Sequence, residues 1–133
     1  MDRQDIETLV RRWTEAIAGG RVELFDELLS TDVLDRSGPT PAKGVESFKA
    51  RVGAVRAAFA DIQIVVEDLI VEGDAIAWRW TLTGTHTGPF AGLAATGRRA
   101  TLRGVNFQRL KSERVAEHWT LVDVFGALQS LRS

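Results

Sequence analysis

Apolar residues Ile6, Leu9, Val10, Trp13 and Ile17 recur at helical spacing and predict a helix over about residues 3 to 18. Gly19 and Gly20 follow in the place a left-handed cap prefers, and end it. A second helix is predicted from about Val22 to Leu29, with Leu24, Phe25, Leu28 and Leu29 on one side and Glu23, Asp26 and Glu27 on the other. Ser30, Thr31 and Asp32 read as a break. Residues 32 to 44 hold Gly38, Pro39, Pro41 and Gly44, so they read as a loop with one short strand at Val33 to Asp35. Phe48, Val52, Val55 and Phe59 form one stripe and predict a third helix over about Val45 to Ala60.

Past Asp61 the period changes. Ile62 to Val71 is rich in β-branched residues, and Gly73-Asp74 joins it to Ala75 to His86 as a hairpin. Residues 87 to 97 (TGPFAGLAATG) read as a long loop. Arg98 to Lys111 and Arg114 to Val124 form a second hairpin around Ser112-Glu113, and Gly126, Leu128 and Leu131 suggest a short terminal turn or helix. Helices first and long strands afterwards predict an α+β fold, one domain over residues 1–133. A sheet that curls around helices leaves a hollow, which is where a small molecule would go.

Composition narrows the chemistry. Seventeen basic against eighteen acidic residues give a net charge of −1, which speaks against a phosphate-backbone partner. With no cysteine and only His86 and His118, thiolate metal sites, Cys nucleophiles and a disulfide framework are excluded, and no metal site is expected. No apolar window is long enough for a membrane span, and the acidic side of the second predicted helix argues against membrane-surface binding. The start, MDRQDIETLVRRW, has no apolar run of signal-peptide type, and together with the absence of cysteine this makes the cytoplasm the expected location. GTHTGPFAG lacks both the Walker spacing with its Lys and a GxGxxG pattern, so it is not a phosphate cradle.

The run GTHTGPFAGLAATGRR (Gly84 to Arg99), followed by a strand, a hairpin and Glu117-His118-Trp119 with Asp123, Gly126 and Leu128, resembles SnoaL-like polyketide cyclases. RRWTEAIAGGR and VRAAFADIQIVVEDLIVEGDAIA extend the likeness upstream. The resemblance implies the cone-shaped roll of the nuclear transport factor 2-like superfamily, three N-terminal helices packed on a curved antiparallel sheet. It also implies an aromatic-lined pocket, homodimers through the sheet, and cyclase or isomerase chemistry on a polyketide-like molecule without metal or organic cofactor. Well-known members close a ring by aldol condensation, using a strand His and, on the last strand, an Asp as general acid/base. Carried over by position, that His falls on Asn106 and that Asp on Thr120. Threonine cannot take a proton from carbon at neutral pH, so the acid/base must be sought elsewhere.

If Asn106 and Thr120 face the hollow, as the resemblance implies, strand alternation puts Gly104, Gln108, His118 and Val122 on the same side. Val105, Phe107, Val115, Trp119, Leu121 and Asp123 then face away, where a second copy would cover them. His118 is either the acid/base or a hydrogen-bonded strand histidine. Asp35 is either a carboxylate whose pKa an apolar pocket floor raises, or a turn cap beside Arg36. Asp123 either caps the next turn or joins His118. Asn106 and Thr120 are expected to hold a substrate carbonyl or oxyanion, with Gln108 beside them. Trp13, Ile17 and Trp80 are expected as substrate-binding wall and Phe90 as a rim lid, although aromatic residues at this spacing equally fill a core. His86 either bonds the loop backbone or lines the mouth. Arg98, Arg99 and Arg103 read as a solvated edge, or as the seat of an anionic substrate tail. The alternatives to a cyclase are a non-catalytic small-molecule-binding or dimerisation module and, more weakly, an epoxide hydrolase, which needs two carboxylates and an Arg around one water.

Overall fold

A computed structural model of the chain describes residues 1–132. Helix α1 (Arg3–Ala18) opens with a reciprocal capping box, Asp2 accepting from the Asp5 N–H and Asp5 from the Asp2 N–H. Its buried stripe is Ile6, Leu9, Val10, Trp13 and Ala16, the face that periodicity predicts. A 3₁₀ turn (Val22–Leu24) leads into the short α2 (Phe25–Leu28), then strand β1 (Leu29–Asp35) and the two-residue β2 (Ala42–Lys43). Helix α3 (Glu46–Ala58) precedes the long strands β3 (Phe59–Glu72), β4 (Ala75–His86), β5 (Arg99–Lys111) and β6 (Arg114–Val122), and α4 (Val124–Arg132) follows.

The six strands form one open sheet in the order β2-β1-β6-β5-β4-β3. Two expectations need correction. The sheet is mixed, because β1 lies parallel to β6, with Leu34 opposite Glu117 and Asp35 opposite His118. Strand β1 also begins at Leu29, whose extended backbone (φ −108°, ψ 145°) stops α2 one residue short of the predicted helix end.

One buried cluster surrounds Trp13 with Phe25, Phe48, Val33, Ile76, Trp78 and Val115. A second gathers Phe59, Leu82, Leu102, Ala127 and Leu131. Val115 belongs to the first cluster, not to the outer face where alternation puts it. The register slips at Ala116, where Leu110 pairs with Val115 but Arg109 with Glu117. That extra residue is a β-bulge, and it reverses which side Val115 faces relative to the rest of β6.

Candidate active site

Between helices α1 and α3 and the inner face of β3–β6 lies a cavity of about 220 Å³. Its wall is mostly apolar: Trp13, Ile17, Val52, Leu82 and Leu102 contribute, with Phe90 from the loop after β4 and Val124 from α4. Besides Thr14 on α1, four polar residues stand on this wall, Arg51, Asn106, His118 and Thr120. No carboxylate lines it among the described residues.

Two hydrogen-bonded rows build the polar part. In the first, Trp80 Nε1–H donates to Asn106 Oδ1 at 3.0 Å, and Thr120 Oγ1–H donates to the same oxygen at 2.7 Å. In the second, Trp78 Nε1–H donates to Gln108 Oε1 at 3.0 Å, and Gln108 Nε2 lies 3.0 Å from His118 Nδ1. Register explains both. Asn106 faces Thr120 and Gln108 faces His118 across β5–β6, while each indole on β4 reaches two residues along β5 from its own partner.

An indole N–H can only donate, so each tryptophan settles which way its amide points. Asn106 Oδ1 is engaged twice, which leaves both hydrogens of its Nδ2 without a protein partner among the described residues. Gln108 must offer an N–H to His118 Nδ1, so the ring proton sits on Nε2.

His118 is 2% exposed, stacked on Trp13 (centroids 5.1 Å, 23°) and edge-on to Phe48 (5.2 Å). Burial, and then the charge of Arg51, push its pKa down from 6.5 to about 3. At neutral pH it is an uncharged imidazole with Nδ1 occupied and Nε2–H without a protein partner. It can donate a hydrogen bond but is poorly suited to accept a proton.

Gly104 makes room for this arrangement. It lies opposite Trp80 on β5, and a Cβ there would come within 2.3 Å of the indole. The missing side chain lets the ring lie across the strand and reach Asn106.

Asp35 is buried but not on the cavity wall. It forms an ion pair with Arg51 and accepts from Ser37 N (3.0 Å) and Ser37 Oγ (2.6 Å). Ser37 Oγ in turn accepts from the Thr120 N–H at 2.9 Å, tying the segment after β1 to β6. The environment expected for Asp35, an apolar pocket floor, is therefore replaced by an ion pair behind Arg51. Gln108 is fully buried behind His118 and does not reach the wall. Asp123 is exposed, and its Oδ1 accepts from Gly126 N at 2.8 Å as the cap of α4, so it does not join His118. Trp13, Ile17, Trp80, Phe90, Asn106, Thr120 and His118 all line the cavity. His86 Nδ1 accepts from the Thr96 N–H at 3.2 Å and holds the loop, away from the cavity wall.

Sequence reasoning missed three residues here: Arg51, Ser37 and the hydrogen-bonding role of Trp78. Trp-x-Trp on one strand facing Asn-x-Gln on the next was the available signal for Trp78; nothing marks Arg51 among seventeen basic residues. Among the described residues, no three His, Asp or Glu converge as metal ligands do. No helix among them is long and apolar enough to cross a membrane.

Comparison with known proteins places these features in a family. The model of SnoaL-like polyketide cyclases matches residues 7–131. The aklanonic acid methyl ester cyclases DnrD of Streptomyces peucetius and DauD of Streptomyces sp. (strain C5) are each 27% identical, aligned over 92% of this chain and 88% and 79% of theirs. TsrD from Streptomyces laurentii superposes with a TM-score of 0.91 at 26% identity, covering 99% of this chain and 98% of its own. IdmH from Streptomyces antibioticus, a candidate polyketide cyclase, gives 0.84 at 28% identity, over 96% of this chain and 98% of its own.

Proposed function

The chain belongs to the SnoaL-like polyketide cyclase family, and on that premise we propose that it closes or rearranges a ring in a flat, hydrophobic, polyketide-like molecule held in this cavity. The reaction needs no metal or organic cofactor in this reading. A substrate carbonyl sits against Asn106 Nδ2 and His118 Nε2–H, which stabilise negative charge as it develops on oxygen. Arg51 stands beside them, and Asp35 is a positioning residue that holds Arg51 in place. The observation that carries the reading is the pair of rows Trp80–Asn106–Thr120 and Trp78–Gln108–His118, which fix unpartnered donors on an otherwise greasy wall. His118 thus serves as a neutral donor in place of the proton-transfer role expected of it, a use of imidazole that other enzymes also make.

The absence of a carboxylate from the wall among the described residues favours one other reading, a module that binds such a molecule without turning it over. Incubation with linear poly-β-carbonyl compounds, followed by mass spectrometry, separates the two. Ring closure faster than in buffer, with unchanged mass or loss of one water, supports the enzyme. Compounds that alter the fluorescence of the cavity tryptophans yet close no faster than in buffer point to the binding module. The hydrolase reading lacks its converging carboxylates, since Asp35 stands behind Arg51.

The outer face of the sheet exposes Ile70, Val105, Phe107 and Leu121, with the Trp119 ring 5.4 Å from that of Phe107. We propose that a second copy covers this face. Sedimentation at micromolar concentration should give twice the chain mass, and Leu121→Lys with Phe107→Glu should halve it. A wild-type monomer would refute the pairing.

A further inference from the structure

Every charged or polar group on the cavity wall can be assigned a direction. Arg51 is the one charged residue there among the described residues. Its Nη2 is paired with Asp35, and its guanidinium carbon lies 5.7 Å from the centroid of the Phe48 ring. Its remaining N–H groups have no protein partner among the described residues, and its side chain is 42% exposed. Asn106 offers two N–H groups and His118 one. Among the lining side chains of the described residues, only the hydroxyls of Thr14 and Thr120 keep lone pairs free to accept. A neutral ligand rich in hydroxyls would leave its own hydrogens unpaired against such a wall, which is costly away from water. A ligand with negatively charged oxygen would satisfy it.

We propose that the cavity takes its ligand as a delocalised oxyanion on a flat apolar ring system, with the oxyanion on Arg51. Two sources share that chemistry, the enolate of an acidic 1,3-dicarbonyl and a carboxylate. At about 220 Å³ the cavity lies below the roughly 300–1,000 Å³ of drug-sized pockets. One or two fused rings fit inside, and a longer molecule extends through the mouth. Burial is the main cause of the lowered pKa of His118, and the charge of Arg51 adds to it, as a positive potential inside the cavity would.

The inference deepens the proposed function and rests on it for the chemical step. An acidic 1,3-dicarbonyl has already lost its proton to water on entering, so Thr120 in place of a carboxylate is no obstacle. The enolate carbon's electron pair forms the new C–C bond to a carbonyl carbon of the same molecule. The π pair of that C=O moves onto its oxygen, facing Asn106 and His118. That oxygen then takes a proton from water, balancing the one released at ionisation.

Isothermal titration of the full chain near neutral pH tests the binding claim separately from turnover. The probes are 2-naphthoate, 2-acetylindane-1,3-dione (an enolate at this pH) and the neutral 2-naphthamide. At least one anion should bind at least about tenfold more tightly than the amide, with a preference that shrinks as salt rises. The double variant Arg51→Met/Asp35→Asn, which leaves no buried carboxylate unpaired, should reduce that preference to below about threefold; Arg51→Lys should retain part of it. Preference for the dione supports the preformed enolate. Preference for naphthoate alone keeps the oxyanion and removes the enolate step. Equal binding of the amide overturns the oxyanion while leaving the small-molecule cavity standing. Anion preference that survives in the double variant overturns the role of Arg51. Binding of none of the three overturns this inference, and the function reading then stands or falls on the ring-closure assay.

Discussion

Asn106→Leu is expected to lower turnover about 10²–10³-fold, the cost typical of losing one oxyanion donor. The substitution keeps the branched side-chain skeleton, with somewhat larger volume, but removes both Nδ2 hydrogens. It also leaves Trp80 Nε1–H and Thr120 Oγ1–H without their shared acceptor. Two unpaired groups at the wall should cost about 1–3 kcal/mol each in chemical unfolding if water does not reach them. The kinetic effect should fall on kcat, because the donors meet full charge only in the transition state, while KM moves little. Thr120→Val provides the contrast. It removes one of the two bonds to Asn106 Oδ1, and Trp80 still orients the amide, so a loss of about tenfold or less is expected. A Thr120→Val defect as deep as that of Asn106→Leu would place the hydroxyl itself on the reacting atoms. Folded Asn106→Leu protein with more than half of wild-type kcat would remove the electrophile on which the proposed reaction depends.

How much of this arrangement is legible in the sequence depends on the range of the interaction. Strand β4 matches its predicted span, Ala75–His86, because Gly73-Asp74 marks one end and the glycine-rich loop the other. The inward set Asn106, His118 and Thr120 follows from alternation once the family resemblance supplies the inward side, since β5 and β6 stay in register from Gly104 to Arg109. Val115 escapes because one extra residue at Ala116 resets the alternation, and no residue type announces a bulge there. The first half of strand β1, ahead of the predicted Val33 to Asp35, escapes for a different reason. The strand, LSTDVLD, lacks a clean period of two, and it pairs with β6 only near its ends. The consequence reaches the site. Without the parallel β1–β6 pairing, nothing places Asp35 next to His118, and Asp35 then reads as a free carboxylate. With it, Asp35 and Arg51 form one unit, and the charge that faces the cavity changes sign from the expected negative to positive. Long-range pairing, not local pattern, decides the electrostatics of this cavity.

That electrostatic character has a consequence for stability as well. His118 has an ordinary pKa of 6.5 when unfolded and about 3 when folded. Between those values the unfolded chain binds a proton that the folded chain refuses. The contribution is therefore fully present above about pH 6.5 and is lost as pH falls toward 3, by up to about 1.4 kcal/mol per pH unit. Other groups titrate as well, so the measurement is the difference between wild type and His118→Gln, whose amide oxygen can still accept from Gln108. The charged neighbours common to both are Arg51 from α3, its partner Asp35 from β1, and Glu117, which forms an ion pair with Arg36. From pH 7 to pH 4, the stability of wild type relative to His118→Gln should fall by about 3 kcal/mol, read by urea unfolding. The folded ring should also keep its neutral NMR signature, with the proton on Nε2, across the whole interval from pH 5 to 8. A constant difference between the two proteins would mean that the folded imidazole takes up its proton like any exposed histidine. In that case Gln108 would have to turn its oxygen toward Nδ1 and lose Trp78, and the fixed orientation of the inner row, with the neutral donor it presents to the cavity, would go with it.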